Sequence, residues 1–253
     1  MSEAWYARWF GETYKRLYPH RDVLEAAAQA AFVLRALPVT PEWRVLDIGC
    51  GAGRHLEAFH KNGIAKGMGL DYSLPLLRDA RKADRMVVRG NMRHLPFRLS
   101  CFDLVTSFFT SFGYFATFEA DVETFAQFAS VLKPGGFLFL DLINRGPLIR
   151  NLIPHDIRTM DGSRVEQRRS LEGPLAGPGT VVVKDISIRH PDGSMESHQE
   201  RVRLYEMDTM LDLAKRFSLR HIATFGDEAG AAYCLEDSPR MSMLFQTAGP
   251  KAG

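Results

Sequence analysis

The sequence predicts an α/β fold of the doubly wound kind, a mainly parallel sheet with helices on both faces. Three observations predict it. Apolar runs of strand length alternate with amphipathic helical stretches across residues 44 to 144. The first run ends in an acid and then in three glycines at alternate positions, Val45-Leu46-Asp47-Ile48-Gly49-Cys50-Gly51-Ala52-Gly53, just before a helical pattern opening near Arg54. The fifth run, Phe137-Leu138-Phe139-Leu140-Asp141-Leu142-Ile143, is almost unbroken in its hydrophobicity, as a central strand covered on both faces must be.

The elements follow in order. In the N-terminal arm Tyr6, Phe10, Tyr14 and Tyr18 recur every fourth residue, which places four aromatic rings on one helical face. Asp22-Val23-Leu24-Glu25 reads as a capping box opening a second helix that runs to Leu37 and stops at Pro38. The first strand then turns through the glycines into a helix. A dinucleotide fingerprint would put its third glycine three places after the second, where Arg54 stands; here it comes one residue early, at Gly53. That spacing favours a nucleoside-bearing ligand without a pyrophosphate. The second strand, Gly67-Met68-Gly69-Leu70, ends in Asp71-Tyr72-Ser73, with Ser73 placed to cap the next helix. An acid at this strand tip suits ribose hydroxyls, because an ionised carboxylate only accepts and can take two at once. A third strand leads into Gly90-Asn91-Met92, and a fourth begins at Phe102 and runs toward the aromatic segment around Phe112-Gly113-Tyr114. An amphipathic helix over residues 119–132 is ended by Lys133-Pro134-Gly135-Gly136 before the fifth strand.

After Asn144 the pattern changes. Three strand-like runs, residues 164–171, 180–189 and 195–205, fit an antiparallel hairpin with a partner strand, the last two joined by the turn His190-Pro191-Asp192-Gly193-Ser194. The arginines of this stretch (Arg164, Arg168, Arg169, Arg189, Arg201 and Arg203) read first as a solvated sheet face and second as a contact for an anionic acceptor. A helix over residues 208–217 and strands over residues 219–225 and 241–247 complete the chain.

The glycine turn, the acid ending the second strand and the "VLKPGG" block, in this order, resemble the class I S-adenosylmethionine (SAM)-dependent methyltransferases. The "WYxxWFGExYxxLYxHRD" arm and the "SFGYF" and "DSPR" segments are similar to a bacterial, small-molecule-modifying subgroup. The resemblance implies a Rossmann-like, doubly wound, seven-stranded mixed sheet with an antiparallel β insertion after the fifth strand. It implies four regions: residues 1–40 as a helical arm or lid, 41–144 as the SAM-binding core, 145–206 as the insertion, and 207–253 as completion of the sheet. The insertion is expected either to roof the acceptor pocket or to make a homodimer contact. SAM is the expected cofactor and S-adenosylhomocysteine the product. Its expected ligands are Tyr14, Arg21, Asp47, Gly49, Gly51, Gly53, Asp71, Tyr72, Asn91, Met92 and Ser107. Among these, Asn91 stands where many relatives carry Asp to accept from the adenine amino group, and Asp47 is expected to order the loop. Tyr14, Tyr114 and Asp141 are the expected catalytic residues, with Asp141 the candidate base and Asn144 and Tyr205 bordering the acceptor. His55 and His94 are read as structural or surface positions.

The rest of the composition narrows the function. With 32 basic and 30 acidic residues the formal charge is +2, too small to imply nucleic acid. Cys50, Cys101 and Cys234 have neither metal-ligand spacing nor a disulfide framework, and with no leader pattern or long apolar run a cytoplasmic, metal-independent protein that avoids membranes is expected. No Asn/Asp-Pro-Pro-aromatic run follows the fourth strand, and no Pro-Cys nucleophile is present, which leaves a small-molecule acceptor methylated on N, O or C. The rival readings are a SAM-binding regulator or subunit without turnover, and a nicotinamide oxidoreductase, the latter disfavoured by Arg54.

Overall fold

The computed structural model describes residues 5–18, 23–175 and 177–249. The expected cofactor residue Arg21 and the expected cap Asp22 lie outside the described residues. The chain opens with α1 (Trp5–Trp9), α2 (Glu12–Leu17) and α3 (Val23–Arg35), then winds through β1 (Arg44–Ile48), α4 (Arg54–Lys61), β2 (Lys66–Asp71), α5 (Leu74–Lys82), β3 (Val87–Arg89), β4 (Phe102–Ser107), α6 (Phe118–Ser130) and β5 (Leu132–Ile143). After α7 (Arg145–Arg150) come β6 (His155–Met160), β7 (Ser163–Glu172), β8 (Val181–Arg189) and β9 (Met195–Arg203). The last elements are α8 (Met207–Arg216), β10 (Leu219–Phe225) and β11 (Arg240–Thr247).

The main sheet has the order β10-β11-β5-β4-β1-β2-β3. Its inner pairs are parallel, while β11 runs antiparallel to both β5 and β10. Successive strand residues face opposite ways, and the core divides accordingly. Leu46, Ile48, Val105, Leu138 and Leu140 pack on one face with Phe125 and Phe128 of α6. Val45, Leu104, Phe137 and Phe139 pack on the other with Ala30 and Val33 of α3 and Phe59 of α4. Truncating the fully buried Phe59 to alanine removes a ring that bridges α4 to the sheet, at a cost of about 3–5 kcal/mol. The parallel order brings the C-terminal ends of β1, β2 and β4 together, the crevice where open α/β sheets bind ligands.

Residues 155–203 form a separate antiparallel sheet, β6-β7-β8-β9. It has four strands where the sequence pattern indicates three. The extra one, β6, is an edge strand whose residues are mostly exposed, so it carries no apolar alternation. The aromatic arm is two helices rather than one, because Gly11 takes an extended conformation at the start of α2. β5 begins at Leu132, five residues before the apolar run, since Leu132 already pairs with Phe102. No described helix is long and apolar enough to cross a membrane.

Candidate functional site

The glycine turn sits at the end of β1. Gly49, Gly51 and Gly53 have φ of +77°, +53° and +80°, the left-handed region that a side chain disfavours. Gly49 carries a second constraint: a Cβ there would lie 2.6 Å from Ser111 Oγ in the loop after β4. Gly53 does not reach the cavity; its would-be Cβ faces Ala80 and Arg85 at 3.3 Å, so this glycine lets α4 and α5 approach each other. Among the described residues no side chain caps α4. Its first amides therefore adjoin a cavity of ≈ 320 Å³ whose wall includes Ala52, Arg54 and His55. A helix start of this kind favours an anion.

Asp71 ties the turn to β2. One carboxylate oxygen accepts from the Gly51 amide at 2.8 Å and the other from the Ser73 amide at 2.7 Å. Burial pushes its pKa up, and the amides of Ser73, Gly51 and Tyr72 pull it back. Two acceptor directions remain for hydroxyl groups, out of the roughly four a carboxylate offers. Asn91 and Met92 lie on the same cavity. Asn91 Oδ1 already accepts from the Arg93 amide at 3.0 Å, which leaves the oxygen's second lone pair and the side-chain NH2.

Asp47 and Ser107 lie behind the turn rather than on the cavity wall. Both are buried, and Asp47 Oδ2 and Ser107 Oγ have no hydrogen-bond partner among the described residues. Asp47 Oδ1 accepts from Thr106 Oγ1 at 3.0 Å. Burial raises the Asp47 pKa to about 7 against this one hydrogen bond. His55, read from sequence as structural or surface, is buried in the cavity wall. It stacks on Phe108 at 3.8 Å and pairs with Gln29 at 2.7 Å, and burial pushes its pKa well down, so the ring is neutral.

The arm covers this cavity. Tyr6, Phe10, Tyr14, Lys15 and Tyr18 all line it, together with Tyr72 and Tyr114. Tyr6 meets Tyr72 and Phe115 edge-on at 5.8 Å each, and Phe10 stacks on Tyr114 at 5.8 Å. The arm is anchored on both sides. Lys15 reaches Asp79 of α5 at 2.5 Å, while Trp9 Nε1 and Tyr18 OH donate to Glu200 of β9 at 2.7 and 2.8 Å.

The strand-end residues expected to border an acceptor are committed elsewhere. Asp141 accepts from Arg240 Nε at 2.7 Å, Ser242 Oγ at 2.9 Å and the Phe109 amide at 2.9 Å, so the structure places it as an anchor of the loop after β4 rather than on a cavity. Asn144 donates to the Leu235 and Ser238 carbonyls and holds the loop before β11. Tyr205 is buried with its hydroxyl on Asp121 at 2.7 Å.

A second cavity, ≈ 1030 Å³, lies across the aromatic wall. Tyr6, Tyr114 and Phe115 line both cavities and form the partition. Beyond them the second cavity is bounded by α1, the start of α6 and residues of β8 and β9. Sequence reasoning missed it, apart from Tyr114 and the Arg201 contact.

Comparison with known proteins agrees with this geometry. Residues 45–136 match the family model described as "Methyltransferase domain". The chain is 31% identical over 188 residues to the dTDP-3-amino-3,4,6-trideoxy-alpha-D-glucopyranose N,N-dimethyltransferase of Streptomyces venezuelae, covering 66% of this chain and 76% of that one. It superposes on an S-adenosylmethionine-dependent methyltransferase from Clostridium acetobutylicum with a TM-score of 0.77 at 18% identity, over 94% of this chain and 97% of that one. It also superposes on SAM-bound CalS10, an amino pentose methyltransferase from Micromonospora echinaspora, with a TM-score of 0.68 at 22% identity, again over 94% and 97%. The residues present suit SAM: an uncapped helix start for a carboxylate, an orphaned buried carboxylate oxygen on Asp47 for a cation, and the Asp71 carboxylate at the glycine turn. Joined to the match along both chains, that donor and acceptor set makes this protein a member of the SAM-dependent methyltransferases, a small-molecule-modifying enzyme of class I.

Proposed function

We propose that the chain moves a methyl group from SAM, held at the glycine turn, to an amino group of a sugar-like acceptor seated in the second cavity. The observation that carries this reading is the shared aromatic partition: Tyr6, Tyr114 and Phe115 face both cavities, so a donor on one side and an acceptor on the other meet between them. In this reading the amides at the start of α4 hold the carboxylate of the methionine portion. The Gly49 carbonyl faces its ammonium, and the buried Asp47 and Ser107 order the turn from behind, close enough for their polar atoms to support that positive charge. Asp71 accepts from the ribose, and Tyr72, Asn91 and Met92 flank the adenine. Tyr14 and the rest of α1 and α2 close over the methionine end and serve as a lid, while α3 packs into the core. Val181 and Asp185 of β8 and Ser197, His198, Gln199 and Arg201 of β9 line the second cavity, which supports the insertion as a roof over the acceptor.

When bound, SAM supplies a methyl carbon activated by its positive sulfur. What this chain adds is alignment and the exclusion of water. Holding two reactants in line is worth effective molarities that reach about 10⁵ M or more. Aromatic faces beside a sulfonium stabilise it by about 0.5–2 kcal/mol. The choice of nitrogen rests on the wall of the second cavity. Asp185 accepts from Gln199 at 2.8 Å, and His198 is held by Glu196 and lies tilted against Trp9 at 4.4 Å. Neither stands free at the partition to act as a base, and an amine that attacks in its neutral form needs none. Tyr6 stays protonated, its pKa raised by burial, and its hydroxyl can orient that amine. The relative that methylates an amino sugar supports the same acceptor atom.

The test uses matched acceptors, an amino sugar nucleotide and its hydroxyl counterpart, each mixed with protein and SAM. S-adenosylhomocysteine is expected from the amine alone, with one methyl added to the acceptor. Equal turnover of the hydroxyl compound would overturn the assignment to nitrogen.

A further inference from the structure

The loop after β4 turns through a conformation that its own residues disfavour. Phe109 and Thr110 have φ of +53° and +58°, and the Ser111 amide closes the turn on the Phe108 carbonyl at 3.3 Å. A turn with positive φ at both central residues ordinarily carries Gly, Asn or Asp there. An aromatic and a β-branched residue are outliers in this region. The other non-glycine residues of positive φ among those described, Asp84, Ser100, Asp161 and Ser218, stand singly and are small and polar. The local sequence therefore does not select this turn, and its hold comes from elsewhere.

That hold lies on β5 and β11. The Phe109 amide donates to Asp141 Oδ2 and the Thr110 amide to the Asp141 carbonyl, both at 2.9 Å. Arg240 forks across the pair, Nε donating to Asp141 Oδ1 at 2.7 Å and Nη2 to Thr110 Oγ1 at 2.9 Å. Ser242, opposite Asp141 in the strand register, adds a hydrogen bond to the same Oδ1. Thr110, Asp141, Arg240 and Ser242 line neither cavity, but the residues they hold do. Phe108, Phe109 and Ser111 stand in the wall at the glycine turn. Phe108 stacks on His55 at 3.8 Å, and the Arg54 guanidinium lies over the Phe109 ring at 5.1 Å. Arg54 and His55 open α4, and Ser111 Oγ fills the space that a Cβ on Gly49 would take. The strained turn thus presses on both parts of the site, the glycine loop and the helix start.

We propose that Asp141 and Arg240 are positioning residues for methyl transfer: they hold the Phe109–Thr110 turn in its left-handed form, and that turn sets the glycine loop and the start of α4 around the methionine portion of SAM. The inference rests on the reading that SAM is held at the glycine turn. Released from Arg240, Thr110 relaxes toward negative φ and draws Phe109 and Ser111 away from the cavity wall. Cofactor affinity then falls, although no group that touches the cofactor has been changed.

Two replacements of Thr110 separate this role from ordinary packing, with calorimetric titration of S-adenosylhomocysteine as the readout. Both remove the hydroxyl that Arg240 holds, and neither strands a buried charge. Valine keeps the β-branched resistance to positive φ, whereas glycine adopts it freely. Thr110→Val is expected to bind about tenfold more weakly, the scale of one charged hydrogen bond, and Thr110→Gly to stay within about threefold of the parent protein. Packing alone predicts the reverse order, since glycine deletes more of the buried side chain. Arg240→Gln is also expected to weaken binding about tenfold, and Thr110→Gly added to it to recover most of that loss. The proposal is overturned if glycine at 110 binds no better than valine, if Thr110→Val binds like the parent, or if glycine fails to rescue a folded Arg240→Gln protein. Should Arg240→Gln not fold, the Thr110 pair decides alone. Asp71→Asn is the control for the site: if it too binds like the parent, the placement of SAM at the glycine turn is what fails.

Discussion

Asp71 shows how one side chain couples two motifs. Its carboxylate accepts from the amides of Gly51 and Ser73, and so joins the glycine turn to the end of β2 before any ligand is present. In Asp71→Asn one amide hydrogen would face an NH2 group instead of an oxygen. SAM affinity is expected to fall by about tenfold to a hundredfold, at about 1.5–3 kcal/mol for a charged hydrogen bond. Calorimetry checks this, and an unchanged dissociation constant would remove Asp71 from the ribose. Asp47 makes a prediction in pH. Its carboxyl is pushed from an ordinary 3.8 to about 7 in the fold. A carboxyl raised in this way gives stability that is fully present below 3.8 and is lost as the pH climbs to about 7. A cation brought beside it favours the ionised form, so binding SAM releases a proton at slightly acid pH. SAM affinity is therefore expected to increase through the neutral range, and Asp47→Asn to flatten that profile. A slope that survives in the variant assigns the proton to another group.

At the scale of elements, the arm is the part most open to test. Trp9, Tyr18 and Lys184 converge on Glu200, while Phe10 and Lys15 attach to Ser73 and Asp79 on the core side. Glu200→Ala removes the acceptor on the insertion side and leaves the core side intact. Faster release of SAM in stopped-flow measurements and faster proteolysis at Phe10-Gly11 are expected together. Faster proteolysis with unchanged SAM release would mean that the arm is no lid. The aromatic stripe of this arm was legible in the sequence because its period of four survives the break at Gly11: Phe10 still meets Tyr14 at 4.9 Å, and Tyr14 meets Tyr18 at 5.0 Å. The break itself was hidden, since one glycine weighs little against four aromatics in phase. The strands of the core were legible for a related reason, being buried on both faces. β6 and α7 were not, because an exposed edge strand and a six-residue helix bury too little to leave a pattern.

At the scale of the whole molecule, the site depends on how the two sheets are joined. The glycine turn and Asp71 could be read from sequence because each is a local motif. The second cavity could not, because its wall is assembled from the arm, the loops after β3 and β4, and the insertion. The junction is a buried cluster that spans more than eighty residues of chain. Asp121 of α6 accepts from Arg203 Nε at 2.8 Å and from Tyr205 OH at 2.7 Å, and is fully buried. Burial pushes the Asp121 pKa up while the Tyr205 and Arg203 hydrogen bonds pull it down. Arg203 in turn donates to the carbonyls of Phe115 and Ala116, and its amide donates to the Gly113 carbonyl. The loop that carries Tyr114 and Phe115, the partition between the cavities, is therefore clamped from beneath by this ion pair. Removing Arg203 alone would strand a buried carboxylate at a cost of about 3–5 kcal/mol, and lost folding would obscure the result. The double replacement Asp121→Leu, Arg203→Met avoids that, since apolar groups of similar volume often substitute for a buried pair with little loss of stability. The melting temperature and SAM affinity are expected to stay near those of the parent protein, while kcat falls about tenfold or more as the partition loses its position, in line with the sensitivity of rates to small misplacements. Tyr205→Phe, which leaves the ion pair in place, is expected to keep most of that rate. If the double variant turns over at the parental rate, the partition holds its place without the clamp, and the ion pair serves only to join the sheets.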